Sequence, residues 1–334
     1  MKPTVDTTLS RPDLGQVVYE VMQDSLTMGF IGLSVMPIFV VPEHEGTYPV
    51  IPKEALFNVH DTKRAPNGAY NRIGEEFEEG FFRTQESGLE YPLDDRFSAV
   101  YKSKLNTEIF AARILANAML RDLEMKVKAK VFNTSNFDVA NASTAWSTTG
   151  SADPLADVEA GKDTLRSSGV EADTLIIPYD GLKWLRQNDE LKDMVYKVFP
   201  DAAKTGRVTL DHIKTVFDVP KVLIAGGLYN SSKKGQAASL SDIWGSRYSM
   251  LCKTSDGDIS EPCIGRSFLW NEGDAGTGDW RIVEQYRDET TRKTILRVRH
   301  DLLATFLASY DEDGNVKSEI SKACGYMIDM TAAT

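Results

Sequence analysis

The longest uninterrupted pattern in the chain covers residues 94–132. It holds no proline and no glycine, so nothing in it breaks a helix. Leu105, Ile109, Ala112, Ala116, Met119, Leu123 and Val127 recur at steps of three and four, which is one face of an α-helix. Lys102, Lys104, Glu108, Arg113, Arg121, Asp122, Lys126 and Lys128 fall largely off that stripe. Asp94, just after Pro92-Leu93, is placed to cap the first free amides. The pattern predicts a helix of roughly 55–60 Å, about three times the length of a mean globular helix. The spacing is not a strict heptad and no second helix of similar length exists, which disfavours a coiled coil. A lone long helix in a mixed chain predicts a flat, extended scaffold with this helix as its backbone.

Upstream, a short helix is expected over 14–22, and the apolar run 26–41 reads as buried strand or extended arm. Residues 46–92 alternate strand-like pieces (47–51, 70–73 and 77–84) with turn signals at Pro52, Ala65-Pro66-Asn67-Gly68 and Ser87-Gly88. Asn67-Gly68 favours a tight hairpin turn. Glu75, Glu76, Glu78 and Glu79 cluster beside Phe77, Phe81 and Phe82. Such a stretch has too few apolar residues for a core of its own. It predicts a long hairpin that is either disordered or stabilised on something else, such as a neighbouring subunit.

Downstream, 133–152 is a loop of small residues. Asp153-Pro154 then opens a helix with cap and first-turn proline in the favoured order. Strands over 174–177 and 222–225 alternate with helices over 181–186, 189–195 and 210–217. This predicts a compact α/β unit from about 150 to 250. The tail is strand-rich, with 281–286 and 294–300 flanking a polar turn. Leu296 and Val298 alternate with Arg297 and Arg299, as in a sheet with one wet face. The runs 302–309 and 323–328 are more continuously apolar and lie either side of a turn at Asp311-Glu312-Asp313-Gly314.

Composition narrows the function classes. Of 334 residues, 42% are hydrophobic and 26% charged, a mix that supports a real core. The formal net charge of −11 argues against gripping nucleic acid or an anionic membrane through overall charge. Cys252, Cys263 and Cys324 show no CxxC spacing and predict no disulfide framework, pointing to a reducing, cytoplasmic setting. The apolar run 26–41 is too short to cross a bilayer comfortably and lacks the charged start of a secretion signal. None of the four histidines stands in a metal-binding spacing. His300-Asp301 has no nucleophile motif nearby. Gly226-Gly227 lacks the spacing of a phosphate loop, and residues 311–315 miss the glycine and closing glutamate of a calcium loop. No catalytic, cofactor-binding or metal-binding residue is assigned.

The order of parts resembles the major capsid proteins of tailed bacteriophages, which have the Hong Kong 97-type fold. The run MPIFVVPEHEGTYPVIPK looks like the family's arm entering its extended loop. TKRAPNGAYNRIGEEFEEGFFRTQESGLEYPLDDRFSAVY looks like the returning half, leading into the spine helix. TLIIPYDGLKWLRQNDELKDMV and HIKTVFDVPKVLIAGG look like strands and helices of the axial domain. DIWGSRYSMLCK, GRSFLW, WRIVEQYRDETTRKTILRVRH and ACGYMIDMTAA look like the closing strands. The resemblance implies an α+β fold with five parts: an N-terminal arm (1–45), an extended β-hairpin loop (46–92) and a peripheral domain with the spine helix (93–149). A central α/β axial domain (150–264) and returning peripheral strands (265–334) complete it. It implies a non-enzymatic subunit that self-assembles as hexamers and pentamers into an icosahedral shell in the host cytoplasm. The shell would enclose double-stranded DNA without sequence-specific binding, with a scaffolding protein, a portal and a decoration protein as partners and no membrane. Scaffolding is expected from a separate protein, since the arm starts within the first few dozen residues.

Inter-subunit contacts are expected at Arg64, Asn67, Tyr70, Arg72, Glu75, Glu76, Phe77, Glu79 and Phe81. Leu105, Ile109, Met119 and Leu123 should be the core of the spine helix, lying against the sheet strands of about 281–310. Some family members crosslink a loop lysine to an asparagine. Lys53 and Lys63 lie in the right region, but nothing identifies a partner. The competing readings are an encapsulin-like compartment of the same fold, a soluble α/β enzyme, and a surface-layer protein.

Overall fold

The computed structural model describes residues 9–25, 28–52, 57–64, 68–72, 74, 77–101, 106–255, 257, 261–271, 282–310, 316–318 and 320–333. Two sheets organise it. The larger has six strands and centres on Lys293–Thr305. On one side of this long strand lies Glu86–Asp94, antiparallel to it. Ile282–Asp288 and Arg266–Trp270 pair antiparallel with its successive halves. Leu9–Ser10 and the parallel strand Ile38–Val41 complete the sheet.

The sequence expectation splits this long strand at residue 300, but His300 and Asp301 simply continue the ladder. Strict alternation explains why it runs unbroken. Leu296, Val298, His300, Leu302 and Ala304 are buried, whereas Arg297 and Arg299 face the wetter side. There Arg297 pairs with Glu90 at 2.7 Å and Arg299 with Glu284 at 3.0 Å. Ser87-Gly88, expected as a turn, lies inside the strand Glu86–Asp94 opposite Arg299 and His300.

The long helix is shorter than its pattern predicts. It runs Thr107–Val131, about 37 Å at 1.5 Å per residue, and is preceded by a separate helix, Asp95–Tyr101. Asn106 is the physical reason. Its side chain accepts from the amides of Glu108 and Ile109, so the helix has its own cap. Asp94 ends the preceding strand and accepts from the Arg96 amide. The long helix packs on Lys293–Thr305, on Glu86–Asp94 and on the N-terminal helix Pro12–Gln23.

The second sheet has five strands in the order Val139–Ala142, Gly325–Ala333, Tyr248–Cys252, Thr174–Pro178 and Lys221–Ala225. The strand Val139–Ala142 falls in the loop expected at 133–152 and joins this central sheet. Every residue of Thr174–Pro178 is buried, and alternation divides the strand between two cores. Leu175 and Ile177 pack with Val158, Leu165, Leu185, Ile213 and Phe217 from the surrounding helices. Ile176 instead joins the cluster of the long helix and the larger sheet, together with Met250 and Met327. The two sheets thus share one continuous apolar interior. All three cysteines are buried and free.

Candidate assembly surfaces and the joint that positions them

The hairpin pairs Glu45–Val50 with Glu78–Arg83. Its residues alternate, so each strand has an inner and an outer face. Tyr48, Val50 and Phe82 point inward and form a core with Phe268, Cys263 and Leu307. Phe82 and Tyr48 stack on Phe268 with centroids at 4.8 Å and 5.4 Å. The Tyr48 ring lies across Gly80. A Cβ there would meet the ring at 2.2 Å, so only glycine fits. The Tyr48 hydroxyl donates to the Ala308 carbonyl and accepts from the Ala308 amide, both at 3.2 Å. Burial pushes this phenol up to about 12. Glu78 is held by Lys317 at 2.6 Å and by the Ser309 hydroxyl, which keep its carboxyl below the usual range.

The stem therefore packs on something outside the hairpin, as expected, but that something is its own subunit rather than a neighbour. What reads as sparse apolar content is a set of three inward side chains, Tyr48, Val50 and Phe82, completed by residues from elsewhere in the chain.

Farther out the loop is exposed. Arg64 donates to the Gly68 carbonyl at 2.7 Å and lies over the Tyr70 ring, 4.5 Å from its centroid. The Asn71 amide donates to the Asp61 carbonyl at 2.8 Å. Residues 70–72 form no strand. Of the expected contact residues, Arg64, Tyr70, Arg72, Phe77, Glu79 and Phe81 are exposed. Asn67, Glu75 and Glu76 lie outside the described residues, as does Lys53, while Lys63 is exposed. Val59 is almost fully exposed, and Phe57, Tyr70, Phe77 and Phe81 are each more than half exposed. So many solvated apolar side chains on one extension are unusual for a monomer.

A second feature fixes how the arm, the long helix and the central sheet meet. Glu124, in mid-helix and 2% exposed, accepts from the amide of Ile31 at 2.9 Å, from that of Gly32 at 2.7 Å and from the Trp244 indole. Arg121, one turn earlier, donates to the Leu228 carbonyl at 3.2 Å. The carbonyl of Gly29, a residue with φ +79°, accepts from the Gly226 amide at 3.1 Å. Burial pushes the Glu124 carboxyl upward, and the three donors pull against that. Sequence reading missed Glu124. The signal was present: with Leu120, Val127 and Val131 it lies on the buried side of the helix, a charge where only apolar residues belong.

Of the expected helix core, Met119 and Leu123 are buried and Ile109 is half-buried against the same cluster. Leu105 lies outside the described residues. Arg113 is exposed and Lys128 half-buried. His300 is buried on the helix side of the sheet. Among the described residues no group of histidine, cysteine, aspartate or glutamate could hold a metal ion. No described helix is long and apolar enough to cross a membrane.

No family model matches the chain. The chain is 27% identical over 223 residues to the major capsid protein of Burkholderia phage BcepMu, covering 65% of this chain and 68% of that protein. Its fold is similar to a phage-related protein from Bordetella bronchiseptica RB50. That match has a TM-score of 0.67 at 18% identity and covers 96% of this chain and 97% of that one. An encapsulin from Synechococcus elongatus PCC 7942 also matches, with a TM-score of 0.51 at 9% identity over 90% and 87% of the two chains. The architecture is thus common to a phage-related protein and an encapsulin, and the relative found by sequence is a phage capsid protein. With its two sheets, long helix and projecting hairpin, the chain has the Hong Kong 97-type fold, and over 65% of its length it is similar in sequence to a phage major capsid protein.

Proposed function

We propose that this subunit builds its shell from hexamers and pentamers whose contacts are made largely by the hairpin of one copy lying over the next. The observation that supports this most directly is the two-faced hairpin. Its stem is anchored by Tyr48, Val50 and Phe82, while Phe57, Val59, Tyr70, Phe77 and Phe81 remain exposed. Rigid anchoring lowers the entropy lost when the outer residues are buried by a neighbour. Individually weak contacts then sum around a closed shell.

In this reading the shell encloses double-stranded DNA. The acidic balance, −11 per chain, suits a container that must release its contents. Assembly in the host cytoplasm with a scaffolding protein, a portal and a decoration protein belongs to the same proposal. So does the division into arm, loop, peripheral and axial parts, with Val139–Ala142 moved to the axial part because it pairs in the central sheet.

The test replaces residues 58–74 with a short Gly-Ser linker. The stem strands remain, so the subunit should melt like the wild type yet form no closed shells in negative-stain micrographs. Normal shells from the variant overturn the proposal. Unfolding of the variant overturns the assignment of these residues to a projecting loop.

A further inference from the structure

A hollow of about 180 Å³ opens just past the end of the long helix, lined in part by Phe137, Phe306, Leu307 and Tyr310. Phe137 and Phe306 meet edge to face, 5.3 Å between centroids. Lys130, in the last turn of the helix, places its ammonium over the Phe306 ring, 6.0 Å from the centroid. Lys130 is half-buried, and its ammonium has no acidic partner among the described residues. Burial accordingly pushes it below the ordinary lysine value. A cation over an aromatic ring gains some attraction, but a partly desolvated lysine without a counter-ion remains costly. The site combines an apolar recess with a positive charge at one side that no described acidic residue meets. Its chemical complement is an aromatic side chain beside a carboxylate.

The chain carries that complement on the outer face of the hairpin stem. Glu79 and Phe81 alternate along the strand, Phe77 stands just before it, and all three are exposed. Opposite Glu79 and Phe81 on the paired strand stand Pro49 and Thr47, so Glu79 has no cation across from it. This face cannot turn back onto its own subunit. The alternate residues Glu78, Gly80 and Phe82 already hold the stem there, with Glu78 bound to Lys317 and Ser309. A cavity of about 150 Å³ suffices for a benzene-sized ring.

We propose that the outer stem face of one copy docks on this hollow of a second copy, with Phe81 entering the recess and Glu79 meeting Lys130. The proposal rests on the self-assembly reading and names one contact within it. The hollow then gains a counter-ion and an apolar partner that the described residues of one subunit do not supply.

The test is charge reversal on full-length protein, read as the concentration at which shells form by light scattering. K130E and E79K should each raise that concentration roughly tenfold, the effect expected when a repeated weak contact is lost. The double variant K130E/E79K should recover most of it. Each subunit's thermal melt should stay near the wild type, and K130M replaces K130E if the latter does not fold, with the same expected loss. Single variants that assemble like the wild type, or a double variant no better than either single, overturn this contact and leave the shell function standing. A wild type that never assembles overturns the function itself.

Discussion

Replacing Glu124 tests whether the joint between arm, long helix and central sheet is held by one carboxylate. E124Q keeps shape and volume but has one acceptor oxygen instead of two. If the amide oxygen takes the place of Oε1, it can still accept from Ile31 and Trp244, and its NH₂ then faces the Gly32 amide, formerly 2.7 Å from Oε2. Two donors are left pointing at each other in a buried site, which costs about 1–3 kcal/mol. E124A orphans all three donors and opens a cavity, for a loss on the order of 3–6 kcal/mol. The assay is urea unfolding of unassembled subunit, followed by tryptophan fluorescence, since Trp244 is itself a donor. The pH dependence supplies a second check. Burial raises the folded carboxyl above its ordinary value near 4.5. The stability linked to this rise is complete below that value and is lost as pH climbs through the folded one. The gap between wild type and E124Q should therefore be widest in acid and narrow toward neutral pH. An E124Q midpoint equal to wild type, or a gap that widens with pH, refutes the reasoning.

Two further perturbations probe the same architecture. Gly29→Ala should cost roughly 3 kcal/mol or more, since φ is +79° and a Cβ would sit 2.6 Å from the Gly226 backbone; a melting temperature within a degree of wild type would contradict this. Tyr48→Phe keeps the ring stack but removes both hydrogen bonds to Ala308, so it should cost about 1–2 kcal/mol and speed proteolytic cutting near the hairpin stem. Unchanged cutting would mean that the stacked rings alone hold the stem.

What the sequence made legible follows from periodicity, and what it hid follows from long-range pairing. Met119, Leu123 and Val127 announce a buried helix face because burial is set by neighbours three and four residues away. The Asn106 cap was overlooked because an unbroken apolar stripe outweighed a single polar side chain with a strong local role. Leu296 and Val298 gave a strand over 294–300 by alternation, but its unbroken length to Thr305 depends on partners at 86–94, 266–270 and 282–288 that no local pattern names. The hairpin stem was read as coreless for the same reason. Phe268 and Leu307, which complete its core, are more than 180 residues away in the chain. Glu124 was invisible as a joint because two of its donors are backbone amides, which every residue has, and the third, the Trp244 indole, lies 120 residues away.

The two sides of the hairpin show how one strand serves folding and assembly together. Residues with even numbers from Glu78 to Phe82 hold the stem to its own sheet, and odd ones from Phe77 to Phe81 face outward. Because the period is two, a one-residue slip would exchange the sets, burying Glu79 and exposing Phe82. Gly80 guards against this. Only a residue without a Cβ fits beneath Tyr48, so the register in which the Tyr48 ring closes over position 80 is the one in which the outer aromatics stay solvated. An exposed aromatic face is a hazard for a lone subunit, since it invites non-specific association. Fixing the register first limits that hazard to a single defined surface, and a defined surface can be matched by a neighbour, copy after copy, around a closed shell.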